Sequence, residues 1–468
     1  MVKKQMMMVV LKNKNNTVGK IFWRSLFFSG LLFLLAGNTI AQNPLITNQY
    51  TADPTAKVFG DKVYLYPSHD IIATPGHGRV AWFCMQDYHV FSSPNLTDWT
   101  DHGVIISQKT VPWADSTAYS MWAPDCIERN GKYYFYFPTM AKSTASKRGG
   151  FAVGVAISDK PYGPFVPQAE PIKGVNGIDP NIFIDKDGQA YIYYAQGNIY
   201  VAKLKDNMLE LASEPQVIAN LPAKGLKEGP YLFERKGIYY LTFPHVANKT
   251  ERLEYMMGNS PVGPFKNGGV IMDESASGCW TNHHSIIEFK NQWLLFYHNN
   301  DLSPNFDKAR SVRADSLYFN VDGTIRKVIP TLRGVGITRA NKEIQVDRYS
   351  AITKEGASVN FIDTAHRMKG WKTILGQNNA WIRYNAVDFS VAKLKSVRIN
   401  VQSDQGNSMI EVRLDKTDGP LIAKVSIPKS LDWTLVKSTL VKTPSGKHDI
   451  FLTLKGYNPV AVDWIKFY

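Results

Sequence analysis

The chain has 468 residues, a formal net charge of +14 and an apolar fraction of 44%. That is more than one ordinary domain needs and excludes an intrinsically disordered chain. Lys3, Lys4, Lys12, Lys14, Lys20 and Arg24, with no acid among residues 1–41, carry six of the positive charges. The others are scattered and accompanied by no nucleic-acid motif, so a nucleic-acid partner is not expected. Aromatic residues reach 12%. Most suit sheet packing, and the remainder are available to stack on flat ligand faces such as sugar rings.

In chain order, a basic stretch precedes an apolar run from Leu26 to Gly37, and Thr39-Ile40-Ala41 follows with a small residue at the cut. This predicts a secretory signal peptide over residues 1–41 and a secreted or periplasmic bacterial protein. The apolar run is short for a bilayer span, and no later stretch is long and apolar enough for one. An uncleaved anchor is the lesser alternative. Cys84, Cys126 and Cys279 are too few for a disulfide framework and read as buried small side chains; a single Cys126–Cys279 bridge is the alternative.

Residues 42–338 hold a repeat. Ala52-Asp53-Pro54, Ala123-Pro124-Asp125, Ile178-Asp179-Pro180, Lys227-Glu228-Gly229-Pro230 and Asn282-His283-His284 each precede an aromatic strand across a short turn. The turn Pro161-Tyr162-Gly163-Pro164-Phe165 returns as Pro261-Val262-Gly263-Pro264-Phe265. A period of about fifty residues, made of short strands, predicts the blades of a β-propeller. Equivalent blade starts point to one central axis, so one titratable group per blade converges there. Residues 339–468 carry a second set of short alternating strands without acids at blade-start spacing. They predict a separate β-sandwich (jelly-roll) module, so the whole chain is all-β: a five-bladed β-propeller followed by a sandwich.

Asp53, Asp179 and Glu228 are the chemistry-bearing candidates. A lone Asp-Pro usually marks a turn, but three acids in register with a repeat do not read as turns only. Proline fixes φ and biases its neighbour to extended backbone, which predicts rigid strand starts for the acids. A carboxylate pair hydrolyses a glycosidic bond when one protonates the leaving oxygen and the other activates water. A third carboxylate beside the acid raises its pKa by like-charge repulsion.

These residues, with Trp122-Ala123-Pro124-Asp125, Tyr88-His89-Val90-Phe91-Ser92-Ser93 and Asn282-His283-His284-Ser285, resemble glycoside hydrolase family 43, five-bladed propeller enzymes. The resemblance spans about residues 43–334. It implies an inverting mechanism with Asp53 as general base, Glu228 as general acid and Asp179 as pKa modulator. Related retaining enzymes acting on sucrose and fructans carry Glu-Cys where this chain has Glu228-Gly229. The resemblance also implies that His283 faces the axis and helps hold a calcium ion, often through water. No organic cofactor is expected. His283 and His284 are adjacent on a strand and point to opposite faces, so they cannot form a zinc pair together. His284 reads as a packing or hydrogen-bonding residue. Arg310 reaches the pocket or makes a surface salt bridge, both readings standing. Trp82, Phe83 and Trp122 are candidate walls of a sugar subsite, with core packing as the alternative. Asp125 opens a blade without a catalytic role.

The second unit resembles carbohydrate-binding module family 6 through Ala380-Trp381-Ile382-Arg383-Tyr384, Glu411-Val412-Arg413-Leu414-Asp415 and Val462-Asp463-Trp464-Ile465-Lys466-Phe467. The usual opening Glu-x-Glu is Gln345-Val346-Asp347 here, and Ala461 stands where an Asn is common, so this module binds glycan weakly or braces the propeller. Trp371 and Trp433 are its candidate sugar-stacking residues, with a structural role as the alternative. The combined expectation is a secreted exo-acting glycosidase that releases arabinofuranosyl or xylosyl groups from plant cell-wall polysaccharide. The alternatives are a non-catalytic glycan-binding propeller and a structural cell-surface protein.

Overall fold

Tyrosine- and Ile-rich strands joined by glycine turns form five antiparallel sheets in succession, each with its first strand innermost. The computed structural model describes residues 43–143, 149–390 and 393–468; the predicted signal peptide lies outside them. Blade 1 comprises β1 (Ala52–Phe59), β2 (Lys62–Asp70), β3 (Met85–Ser93) and β4 (Thr100–Ser107). Blade 2 has β5 (Asp125–Arg129), β6 (Lys132–Met140), β7 (Phe151–Ser158) and β8 (Val166–Pro167). Blade 3 has β9 (Ile178–Ile184), β10 (Ala190–Ala195), β11 (Ile199–Lys203) and β12 (Gln216–Val217). Blade 4 has β13 (Tyr231–Arg235), β14 (Ile238–Val246), β15 (Glu251–Gly258) and β16 (Lys266–Met272). Blade 5 has only β17 (His284–Phe289), β18 (Gln292–Asn299) and β19 (Ser311–Ser316).

Two-residue turns set the inner hairpins. Asn130-Gly131, Lys236-Gly237 and Lys290-Asn291 all have positive φ at both positions, the requirement of a type I′ turn, whose twist matches that of the flanking strands. The free edge of blade 5 is covered by the segment before β1. Leu45 N–H donates to Val312 C=O (2.8 Å), Thr51 N–H to Arg310 C=O (2.9 Å), and Asn43 Nδ2 to Ala314 C=O (3.0 Å). The start of the propeller thus pairs with its last blade, which closes the ring and leaves no open edge there.

The apolar core is divided among the faces between blades. Tyr66, Tyr88 and Phe135 pack blade 1 on blade 2; Tyr136, Val155 and Ile192 pack blade 2 on blade 3. Leu241 meets Tyr193 between blades 3 and 4, Tyr240 meets Leu295 between blades 4 and 5, and Leu65 meets Phe296 where blades 1 and 5 join. The repeated Pro-x-Gly-Pro-Phe turn serves these faces. Tyr66 Oη donates to Pro161 C=O and Tyr193 Oη to Pro261 C=O, each at 2.5 Å, so a buried tyrosine of one blade is satisfied by the turn of the next. Cys84, Cys126 and Cys279 are buried and free, so the Cys126–Cys279 bridge is not formed.

The C-terminal part is a sandwich of two six-stranded sheets over one aliphatic core that includes Ile382, Val397, Ile410, Leu452 and Ile465. Thr338–Arg339 pairs with Val387–Asp388 of this sandwich. Among the described residues no helix is long and apolar enough to cross a membrane.

Candidate active site

Asp53 and Asp179 stand at the inner ends of β1 and β9, and both have positive φ, +46° and +58°. This corrects the extended backbone predicted from the following prolines. A left-handed residue disfavours most side chains, but Asp tolerates it better than most. Such strain persists only where surrounding bonds over-determine it. Here Asp53 N–H donates to His298 Nδ1 (3.0 Å), and Asp179 Oδ2 accepts Gly229 N–H (2.8 Å). Glu228 precedes Gly229, itself at φ +53°.

Together with His283 and Arg310, these acids line a cavity of about 200 Å³ walled by Trp82, Phe83, Met85, Trp122, Ile178 and Trp280. The three carboxylates, the axial histidine, the arginine and the three aromatic walls named from the sequence therefore meet in one place. Trp371 and Trp433 lie in the sandwich, outside this cavity. Trp371 is already stacked on Phe361, with ring centroids 3.8 Å apart.

Arg310 is buried, which decides between its two readings. Its Nη1 donates to Asp53 Oδ1 (2.7 Å), while Nε and Nη2 grip the two oxygens of Asp70 at 2.9 Å each. Burial alone would raise the Asp53 pKa, but the Arg310 charge holds it below the usual carboxylate range. Asp53 is thus an anion. His298 accepts the Asp53 N–H through Nδ1 and so carries its proton on Nε2, which donates to Thr281 C=O (3.1 Å). Burial and the nearby Arg310 charge push its pKa down to about 3, so it stays neutral.

The other two acids of the cavity are tuned the other way. Burial raises Glu228. Asp179 is pushed up to about 7, by burial first and then by Glu228 and Asp53, against the pull of His283. A fourth carboxyl, Glu251 at the start of β15, is buried, hydrogen-bonds to Glu228 and accepts Asn282 N–H through Oε2 (2.6 Å). Burial and then the neighbouring Glu228 raise its pKa well above the usual range. Separated titration of this kind is how one pocket supplies both an acid and a base.

Asp70, Glu251, His298 and Trp280 were not found from the sequence. Asp70 ends a second strand, His298 lies near the end of another, and Glu251 starts a third, so none shares the blade-start register. Only the pairing of blades 1, 4 and 5 brings them inward. Asp125 orders the inner strands: Oδ1 pairs with Lys57 Nζ (2.9 Å), and Oδ2 accepts Ile182 N–H (2.6 Å) and Asn181 Nδ2 (3.0 Å). His284 is buried against Thr242, its Nε2 2.5 Å from Oγ1, in the hydrogen-bonding role read for it.

Gly229 is required twice over. Its φ is left-handed, and a Cβ would lie 2.9 Å from both His283 Nδ1 and the Pro244 ring. Gly229→Ala is expected to cost about 1–2 kcal/mol in backbone strain alone and to displace both Glu228 and His283. Kinetics and thermal unfolding check this: unchanged kcat/KM would mean that the turn does not set the acid.

For a calcium ion, His283 offers one nitrogen, and among the described residues it belongs to no group of three or more gathered His, Cys, Asp or Glu ligands. The buried Asn282 Oδ1 beside it has no hydrogen-bond partner. Calcium prefers oxygen, so this donor set fits an ion that completes its shell with water.

The propeller matches Glycosyl hydrolases family 43 over residues 41–325, and the sandwich matches Carbohydrate binding module (family 6) over residues 351–468. Xylosidase/arabinosidase 43A of Humicola insolens is 39% identical over 333 residues, covering 60% of this chain and 98% of that protein. A calcium-free family 43 beta-xylosidase/alpha-arabinofuranosidase from a compost microbial metagenome, solved with xylotriose, superposes with TM-score 0.55 at 36% identity, covering 62% of this chain and 97% of its own. An arabinoxylan arabinofuranohydrolase from Bacillus subtilis, solved with cellotetraose, aligns across both modules. It has TM-score 0.54 and 26% identity, covering 92% of this chain and 99% of its own.

Proposed function

The chain belongs to glycosyl hydrolases family 43, and from that premise we propose that it is an exo-acting, inverting glycosidase releasing arabinofuranosyl or xylosyl residues from plant cell-wall polysaccharide. The observation that carries this is the opposed tuning of two acids that line one small aromatic cavity: Asp53 held anionic by Arg310, Glu228 raised by burial. A cavity of about 200 Å³ is below the range of drug-sized ligand sites and suits a single sugar ring.

In the proposed step Asp53 takes a proton from a water molecule, whose oxygen attacks the anomeric carbon. The bond to the leaving oxygen breaks as Glu228 delivers its proton to that oxygen. The pair then exchanges protons with solvent to reset. Asp179 acts as a positioning residue: it holds Gly229 N–H, and hence the backbone carrying Glu228, and like-charge repulsion links its partly neutral carboxyl to the acid. A groove of about 670 Å³ shares Ile178 and Glu228 with the cavity and continues past Lys142, Lys173 and Lys227. Because Glu228 faces it, this groove is the path for the leaving chain. His283, with Asn282 beside it, would hold a calcium ion, which when bound supplies positive potential at the cavity floor. In the sandwich, Trp433 is the better placed stacking residue, since Trp371 is occupied by Phe361. Action on cell-wall polymers favours export, as the predicted signal peptide does.

The test is release of sugar from aryl α-L-arabinofuranoside and aryl β-D-xyloside, with proton NMR of the first anomer formed. Inversion is expected, and a retained anomer would overturn the mechanism. Glu251 gives a finer check. Its neutral carboxyl donates to Glu228 and so favours the Glu228 anion. Glu251→Leu removes that donor, raises the Glu228 pKa and is expected to move the alkaline limb of kcat/KM to higher pH. Glu251→Gln keeps a donor and should leave the limb in place. A downward shift in the Leu variant would show that Glu251 acts otherwise.

A further inference from the structure

We propose that His69, Asp87 and His89 form a binding site for a divalent transition-metal ion, separate from the axial His283 position. Asp87 and His89 are two residues apart on β3 and so share one face of blade 1. Ser68 pairs with Tyr88 and Asp70 with Met85 across an irregularity in the ladder, which lays His69 beside them on β2. The result is a cluster in which one ligand atom from each of the three residues lies within 4.8 Å of the other two. Among the described residues this is the one group of three or more His, Cys, Asp or Glu side chains gathered in this way.

The donor set selects the ion. Two imidazoles and one carboxylate suit zinc, manganese or iron, whereas calcium and magnesium demand oxygen. Asp101, on β4, supports the set from behind: its Oδ1 lies 3.2 Å from His89 Nδ1. A carboxylate on one imidazole nitrogen fixes the ring and leaves the other nitrogen for metal. The His69 and His89 rings meet edge to face with centroids 5.1 Å apart, and His89 also stacks on Phe91 at 6.0 Å, so neither ring turns freely. His69 Nδ1 lies 2.7 Å from Asp87 Oδ1. Zinc with bonds of about 2.0–2.2 Å places its ligands roughly 3.3 Å apart, so loading replaces the 2.7 Å His69–Asp87 hydrogen bond by two metal bonds, and the three ligand atoms, already within 4.8 Å of one another, adjust around the ion. His69 and His89 are partly exposed, so solvent reaches the cluster. Water would complete the shell. The bound ion would cross-link β2 to β3, the two central strands of blade 1.

The experiment uses the full untagged chain, freed of metal by a chelator and titrated with zinc chloride by calorimetry. One equivalent with micromolar or tighter affinity is expected, together with a zinc-dependent rise in Tm. His69→Ala and His89→Ala should each weaken binding at least tenfold, and Asp101→Asn about tenfold, while His283→Ala leaves it unchanged. X-ray absorption of the loaded protein should show two imidazole ligands. Absence of binding, binding that survives the His69→Ala/His89→Ala double variant, or loss of binding in His283→Ala would each overturn the proposal. His69→Gln, which keeps a polar partner for Asp87, substitutes if His69→Ala does not fold. These readouts do not depend on glycosidase activity, so failure here leaves the proposed reaction untouched, and the reverse also holds.

Discussion

Glu228→Gln is expected to lower kcat/KM on a natural arabinoxylan-derived oligosaccharide by about 10²–10⁴-fold, the usual contribution of a general acid. The loss on an aryl glycoside with a good leaving group should be much smaller. An acidic phenol departs without a proton, so the variant lacks only what that substrate does not need. The amide keeps the size of the side chain and leaves Gly229 N–H on Asp179 and the Glu251 contact in place, so the comparison isolates proton donation. Equal losses on both substrate types would remove Glu228 from the role of acid. A variant with full activity on both would favour the non-catalytic alternative for this pocket, with the chemistry elsewhere.

Asp53→Asn should also cost about 10²–10⁴-fold, but with the opposite substrate pattern. Activating water is needed whatever leaves, so natural and aryl substrates should fall together. The pH profile adds a sign. Asp53 works as the anion, and Arg310 holds its pKa below the usual carboxylate range. The acid limb of wild-type kcat/KM should therefore lie below that range and disappear in the variant. The substitution also removes one of two carboxylates from the buried Arg310. Because Asp70 keeps its two-oxygen grip on the guanidinium, the stability cost should stay under the about 3–5 kcal/mol of a buried charge left unpaired. Thermal unfolding measures this. If Asp53→Asn retains aryl activity as Glu228→Gln does, the two roles have been exchanged.

These two predictions depend on residues legible to different degrees. Asp53, Asp179, Glu228 and His283 stand out in the sequence because each opens a blade at a regular interval, and a period is a one-dimensional signal. Asp70, Glu251 and His298 carry no such signal. Each is an ordinary polar residue near a strand end, and each becomes part of the site only when a strand of one blade is laid against another. The backbone of Asp53 and Asp179 was misread for a related reason. The local rule for a residue before proline favours extended geometry, whereas contacts to His298 and Gly229, distant in the chain, hold both in the left-handed region. Arg310 was open to two readings, because nothing in Lys308-Ala309-Arg310 states whether its side chain faces solvent or the axis.

The sequence alone determined the all-β architecture, the number of blades, the separate C-terminal module and the acids at the blade starts. Each is written in local alternation, turn chemistry and a repeat that any chain must express as it folds. The tertiary structure decided which of those acids is charged. The protonation of Asp53, Asp179, Glu228 and Glu251 depends on burial and on neighbours more than twenty residues away in sequence. The same holds for the closure of blade 5 by the segment before β1 and for the gathering of His69, Asp87 and His89 on blade 1. In each case the outcome follows from distance in space, through the desolvation and Coulomb energies of groups that the linear order keeps apart.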